Sequence, residues 1–369
     1  MNRFEITYHL HVQEGEDLDD LILGISLEQS VELPSSLLKE SWRRNIIGLE
    51  TQRRQLSQQI WQVSLSYPTA NIGGELVQFL NILYGNISMR NGIKIVDVEW
   101  NSLPELFNGP AFGVEELRRR WDINERPLSC IPLKPMGTTT GELARACREF
   151  AEGGIDIIKD DHGLANQRSA PFKERVEACM EALEQAYQNT GHKARYFPNI
   201  TADPGSLMNR YQIARDSGAA GVMICPHLTG PAILSELANQ KNGIPVIAHP
   251  AFSGALVTTP YQGFSPAFLY GQLWRALGAD FSIYANAGGR FPFSEEQSLA
   301  IAGDCLSGDM PFKKTFPMPG GGLKRDTLPY WRSRYGADTV FLIGGSLYQH
   351  PQGKRYAAEE IFKQLNSNP

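Results

Sequence analysis

GGIDIIKDDHGLANQ, residues 153–167, reads as a buried strand, Ile155–Ile158, that runs straight into Lys159, Asp160, Asp161 and His162. An amine beside two carboxylates at the end of an apolar strand is costly to bury unless the groups pair or hold a metal. One reading is an exposed loop in which Lys159 and Asp160 are solvated charges. The other is a metal and proton-transfer site at the mouth of a barrel.

The surrounding pattern favours the barrel. From Cys130 onward, short apolar runs alternate with amphipathic stretches. The runs Cys130–Leu133, Ile155–Ile158, Arg195–Asn199, Gly221–Ile224, Val246–His249, Phe281–Tyr284, Thr315–Met318 and Thr339–Ile343 read as strands. Glu142–Ala151, Lys173–Asn189, Ser206–Asp216, Ala267–Leu277 and Ala357–Leu365 read as helices. Eight such units predict an α/β fold with a C-terminal (β/α)8 TIM barrel over residues 126–369; six would point to a doubly wound sheet. Residues 1–125 have a different texture. Phe4–Val12 alternates like a half-buried strand, Gly74–Leu83 looks helical, Lys94–Val98 looks like a strand and Glu115–Trp121 like a short charged helix. This predicts an N-terminal α+β domain of ferredoxin-like type.

Composition excludes several classes. The 369 residues carry a net charge of −5 and no basic run, which argues against an electrostatic nucleic-acid binder. No apolar stretch approaches a membrane span, and the N-terminus lacks an apolar signal core. The five cysteines are scattered and form no CxxC pair, so reduced cysteines of a cytoplasmic protein are expected rather than a zinc-thiolate site.

In a barrel, catalytic groups gather where strands end. Those ends carry Lys134, Lys159–His162, His227, His249, Asn286–Arg290, Gly320–Gly322 and Gly344–Ser346. Lys134 could donate or accept a proton, or simply snorkel to solvent. Lys159 could react with CO2 to give a carbamate, an anionic oxygen ligand, and then hold a divalent cation with Asp161 and His162. That mixed shell suits Mn²⁺, Fe²⁺ or Zn²⁺ as well as Mg²⁺. His227 and His249 could contact substrate or be structural. The two glycine clusters follow the last two strands, where barrels often bind phosphate through backbone N–H groups; tight turns are the alternative. Arg290 sits in a loop that resembles a mobile lid and could reach a substrate anion.

These motifs, in this order, resemble the ribulose bisphosphate carboxylase large subunit, and more closely the RuBisCO-like proteins. GGIDIIKDD resembles the family's GGxDFxKDDE, CIPLKPMG its IxKPKLG, and NITADPGSLMNR its NxTAxxxEEMxxR. LYGN at 83–86, LFNGP at 106–110 and the late IGGS also match, from about Leu65 to the C-terminus. The resemblance implies that Lys159 is the carbamylated lysine and Asp161 a metal ligand, with Mg²⁺ as the expected cation. It implies that Lys134 moves protons during enolisation and that His249 lies in the active site. Asn86 matches an asparagine that reaches the neighbouring subunit's site, which implies a homodimer with shared sites. Gly344 and Gly345, with Gly320 and Gly321, match phosphate-binding glycines.

The departures carry as much information. His162 stands for the family's glutamate ligand, Met136 for the second lysine of KPK, and Arg290 for the lid lysine. The pair after strand five is His249-Pro250, a following histidine is Ser253, and Leu33-Pro34 replaces a threonine-tryptophan pair after Glu28. Carboxylation needs nearly all of these groups, so the expected activity is the enolising half alone, on a phosphorylated ketose. Met136, Phe291 and Phe293 would suit an apolar tail. The resemblance implies first a 5-methylthioribulose-1-phosphate isomerase of sulfur salvage. The alternatives are a decarboxylase or hydrolase of 3-oxo-isoapionate 4-phosphate, a 2,3-diketo-5-methylthiopentyl-1-phosphate enolase, and a noncatalytic sugar-phosphate sensor.

Overall fold

A computed structural model of the chain describes residues 2–103 and 105–367. The N-terminal sheet begins with β1 (Arg3–His11), whose alternation buries Phe4, Ile6, Tyr8 and Leu10 on one face. With β2 (Leu49–Gln55), β3 (Ile60–Pro68) and β4 (Ile93–Val98) it forms an antiparallel sheet of order β4-β1-β3-β2. Helices Leu18–Glu28 and Leu76–Tyr84 cross between β1 and β2 and between β3 and β4, which is the ferredoxin-like connection.

The barrel strands are β5 (Leu128–Leu133), β6 (Ile157–Asp160), β7 (Arg195–Phe197), β8 (Val222–Ile224) and β9 (Val246–Ala248). After the short β10 (Gly263–Phe264) come β11 (Phe281–Ala285), β12 (Phe316–Gly320) and β13 (Val340–Leu342). Their order is β7-β6-β5-β13-β12-β11-β9-β8, and neighbouring strands run parallel. Hydrogen bonds from Ala220 N to Tyr196 O and from Met223 N to Pro198 O join β8 to β7 and close the ring. All eight predicted strands are present.

One register differs. The second strand starts at Ile157, not Ile155, so Lys159 and Asp160 lie within it. Gly154, at φ +94°, makes the turn out of the preceding helix, and Asp156 is tied at the base by Arg126 at 2.7 Å and by Ser129. The strand therefore enters the sheet two residues later.

The barrel interior is filled by Cys130, Ile157, Phe197, Met223, Ile247, Phe281, Met318 and their neighbours. Helix Gly113–Trp121 plugs the base with Val114 and Leu117, and the Asp280 carboxylate accepts the N–H groups of Phe112 and Gly113 at its start. β10 leaves the barrel to pair with β4, adding a strand to the N-terminal sheet. Among the described residues, no helix is long and apolar enough to cross a membrane.

Candidate active site

Strand alternation sorts the KDDH motif. On β6, Lys159 faces the barrel interior, Asp160 faces out, and Asp161 follows at the mouth. Asp160 is fully buried and accepts from Arg175 Nη2 at 3.1 Å, Tyr196 OH at 2.6 Å and Asn199 N at 3.0 Å. It anchors the strand end and takes no part in the mouth.

Lys159 is 1% exposed; its Nζ donates to Asp160 O at 3.0 Å and lies 3.3 Å from Met223 Sδ. Burial pushes this amine below the ordinary lysine range, with Asp161 pulling back and Lys134 assisting. Asp161 has Lys134 Nζ at 3.3 Å on one oxygen and His162 Nδ1 at 3.6 Å from the other. Burial raises the Asp161 carboxyl, but Lys159, Lys134 and His162 outweigh it and hold the group below its usual range. Burial lowers His162, whose ring stacks on His249 with centroids 4.6 Å apart. His249 is lowered further, by burial, Lys159 and His162. Five candidate residues, Lys134, Lys159, Asp161, His162 and His249, thus form one cluster. Tyr348 supports it by accepting the Lys134 N–H and donating to Pro132 O.

The donor set bears on the expected cation. Among the described residues no group of three His, Cys, Asp or Glu side chains is placed to hold a metal. Asp161 and His162 are two donors side by side, and a third arises only if Lys159 becomes a carbamate. A buried amine pushed towards its neutral form is the species that attacks CO2, so the residues fit a carbamate-completed site.

The glycines divide into two kinds. A Cβ on Gly322 would lie 2.5 Å from Gly289 N, and one on Gly320 would lie 2.9 Å from Leu342 Cδ2. Gly321 has φ +81°. Packing accounts for Gly320 and Gly322, the latter against the Gly288–Gly289 turn of the lid loop, whereas Gly321 combines its left-handed backbone with open space where a Cβ would stand. Gly344, at φ −98°, and Gly345 have open space where a Cβ would stand, and neither needs a left-handed backbone. A side chain at either position would project into that open space. Gly322→Ala is accordingly expected to destabilise the fold by about 1–2 kcal/mol or more, seen as a lower melting temperature. Gly345→Ala should leave melting unchanged and raise KM for a phosphorylated substrate, whereas Gly344, at φ −98° and ψ −128°, lies outside the backbone regions an alanine favours.

Three candidates stand apart from the cluster, although Arg290 is near enough to add to the lowering of His162. Arg290 is exposed, with its guanidinium 5.1 Å from the Phe291 ring centroid. Asn86 is on the N-terminal domain, where it donates to Glu28 Oε1 at 2.9 Å beside a polar hollow lined by Gln29, Glu32 and Asn81. His227 is turned away from the mouth. Its Nε2 is buried without a partner beside Trp274, and burial pushes its pKa down to about 4. The unfolded chain binds a proton there that the folded chain refuses, so stability should fall as pH drops from about 6.5 to 4. His227→Gln should remove up to about 3 kcal/mol of that loss, measured by denaturant unfolding at pH 7 and pH 4.

Sequence reasoning did not single out Met223, Cys225 and Tyr348. Met223 and Cys225 sit in an unbroken apolar run, GVMIC, that gives no sign of which side chains meet the lysine.

Comparison with known proteins agrees with this geometry. Residues 113–366 match the profile described as the ribulose bisphosphate carboxylase large chain, catalytic domain. The chain is 34% identical to 5-methylthioribulose-1-phosphate isomerase of Rhodospirillum rubrum, over 94% of this chain and 92% of that protein. It is 31% identical to 2,3-diketo-5-methylthiopentyl-1-phosphate enolase of Bacillus licheniformis, over 91% and 84%. The crystal structure of a Rubisco-like protein from Rhodopseudomonas palustris superposes with a TM-score of 0.88 at 29% identity, covering 100% of both chains. The chain belongs to the ribulose bisphosphate carboxylase large chain family, on the side of its RuBisCO-like proteins.

Proposed function

We propose that this chain enolises a phosphorylated ketose, with 5-methylthioribulose 1-phosphate as substrate and an isomeric pentulose phosphate as product. The observation that carries the reading is the buried Lys159 amine, held between Asp160 O and Met223 Sδ and pressed below its usual range by burial, with Lys134 paired to Asp161 beside it. A base there, the Lys159 amine itself or, once it has taken up CO2, an oxygen of its carbamate, takes the proton from the carbon beside the carbonyl. The electron pair moves into the new C=C bond, and the carbonyl oxygen takes the charge. Lys134, held by Asp161, returns a proton on the other side of the enediolate. Asp161, His162 and the Lys159 carbamate would hold a divalent cation, Mg²⁺ or Mn²⁺, which when bound polarises the carbonyl. Gly344 and Gly345 leave space for the phosphate, and Arg290 is placed on the lid loop to meet an anion. Asn86 and Glu28 pair on the N-terminal domain; the family resemblance is what supports a homodimer in which they complete the partner's site.

Carbon dioxide fixation is not part of this proposal. Met136 is an exposed thioether where the family has a lysine, and Ser253 is buried against Tyr270 at 2.7 Å. The exposed Met136 and Phe291 favour a substrate with an apolar end, whereas Phe293 packs towards Tyr270. Proton NMR in D2O with 5-methylthioribulose 1-phosphate, Mg²⁺ and bicarbonate tests the reading. Deuterium uptake with new pentulose phosphate signals is expected. Exchange with the 2,3-diketone phosphate alone would make the chain an enolase. Loss of CO2 from 3-oxo-isoapionate 4-phosphate alone would make it a decarboxylase. Binding of these phosphates without any exchange would leave a sensor.

A further inference from the structure

We infer that His249 is locked as its Nε2–H tautomer and presents a hydrogen-bond donor, not a base, to a sugar-phosphate oxygen, with Cys225 as the positioning residue. The Nδ1 of His249 accepts the Ala251 N–H at 3.1 Å, and the Cys225 Sγ lies 3.9 Å from the same nitrogen. A neutral imidazole has one acceptor and one donor nitrogen, so the Ala251 N–H on Nδ1 leaves the ring proton on Nε2. Nε2 is not among the buried unpartnered atoms, unlike that of His227, and no protein partner is described for it. The ring is half-buried and stacked on His162, the residue that follows Asp161 at the mouth.

Two departures from the family pattern make this geometry. Pro250 has no N–H, so the first amide after His249 is that of Ala251, which folds back onto the ring. Ser253 then clamps the turn. Its N–H and its hydroxyl both donate to Pro250 O, and the hydroxyl meets Tyr270 OH at 2.7 Å. Phe252 takes φ +70° inside this turn. A strained residue in a clamped turn is the mark of a conformation the surroundings impose.

Cys225 is held from behind. Its N–H donates to Thr201 Oγ1 at 2.9 Å, Thr201 donates to Asn199 Oδ1 at 2.7 Å, and Asn199 Nδ2 donates to His162 O at 3.1 Å. Asn199 N in turn binds Asp160. One chain of hydrogen bonds thus runs from the KDDH strand end through the NITADP segment to the His249 ring. It ties the backbone of His162 and of Cys225 together, and the Cys225 thiol lies against the His249 ring. The thiol is a weak donor, so its work is to orient the ring and keep a competing donor or water off Nδ1.

The inference rests on the enolisation reading only for the oxygen that His249 meets; the tautomer itself is read without substrate. Nitrogen-15 NMR of the labelled full-length protein at neutral pH, with His249→Gln to assign the signals, should show a protonated Nε2 and an unprotonated Nδ1. An Nδ1–H signature, or the averaged shifts of a free ring, would overturn the proposal. Cys225→Val and Cys225→Ser then test the positioning role. With 5-methylthioribulose 1-phosphate, Cys225→Val should lower kcat about ten-fold with little change in KM and move the His249 shifts towards averaging. Cys225→Ser should restore both. Unchanged His249 shifts and kcat in Cys225→Val would remove Cys225 from the role. If wild-type protein exchanges no proton with any of the phosphates but keeps the Nε2–H signature, the enolisation reading fails and the tautomer stands.

Discussion

Lys159→Met is expected to lower the rate of substrate proton exchange by at least about 10³-fold, roughly 4 kcal/mol of barrier, while the melting temperature holds or rises. The two effects have one cause. The wild-type amine is held almost out of water, with a backbone carbonyl and a thioether as its acceptors. Those contacts do not replace water around an ammonium, so the fold disfavours the charged form and carries the cost of burying a polar group. Methionine is unbranched, of similar length, and fills the same channel beside Met223 without that cost. A purely structural lysine would behave oppositely, because its removal would cost stability and leave exchange intact. Hydrogen–deuterium exchange of the ketose phosphate and thermal unfolding, run on the same preparations, separate the cases. Retention of more than a tenth of wild-type exchange would end the assignment of Lys159 to the chemistry.

Some of this site was legible in the sequence, for physical reasons. Period-two alternation makes Lys159 and Asp161 share a direction whatever the exact strand ends are, so a two-residue error in the start of β6 left their reading intact. Lys134 and His249 are legible for a different reason: they stand at the ends of β5 and β9, where a barrel gathers its chemistry. His227 shows where that logic stops. It follows β8 just as His249 follows β9, yet Pro226 opens a short helix that swings it against Trp274. The direction of a side chain beyond a strand end is decided by the turn, and turns are decided by tertiary partners. The glycine run 320–322 was ambiguous for a related reason. Its need for glycine comes from the backbone of the neighbouring lid loop, 33 residues away in the case of Gly289 and Gly322, and no local pattern encodes that approach. Asn86 was named through resemblance alone; its own contacts stay within the N-terminal domain.

Arg175→Met is the substitution expected to cost most stability, about 3–5 kcal/mol. Arg175 and Asp160 are both fully buried, and the guanidinium spends its donors on Asp160 at 3.1–3.2 Å, on Ala170 O at 2.6 Å and on Ala165 O at 2.9 Å. Removing it leaves the Asp160 carboxylate with Tyr196 OH and Asn199 N but no countercharge, and leaves two carbonyls of the loop after β6 unpaired. At about 2–4 °C of melting temperature per kcal/mol for a domain of this size, the loss should be on the order of 10 °C. The double variant Asp160→Leu/Arg175→Met removes the stranded charge and should recover much of it, since a buried pair is often replaceable by apolar packing. Activity should not follow that recovery. Asp160 holds Asn199, and Asn199 begins the hydrogen-bond chain to Cys225 and His249. A double variant that melts like wild type and turns over like wild type would show that the pair does no more than hold the fold. One that melts well and turns over poorly would show that a buried ion pair is kept here for the position of the groups at the mouth.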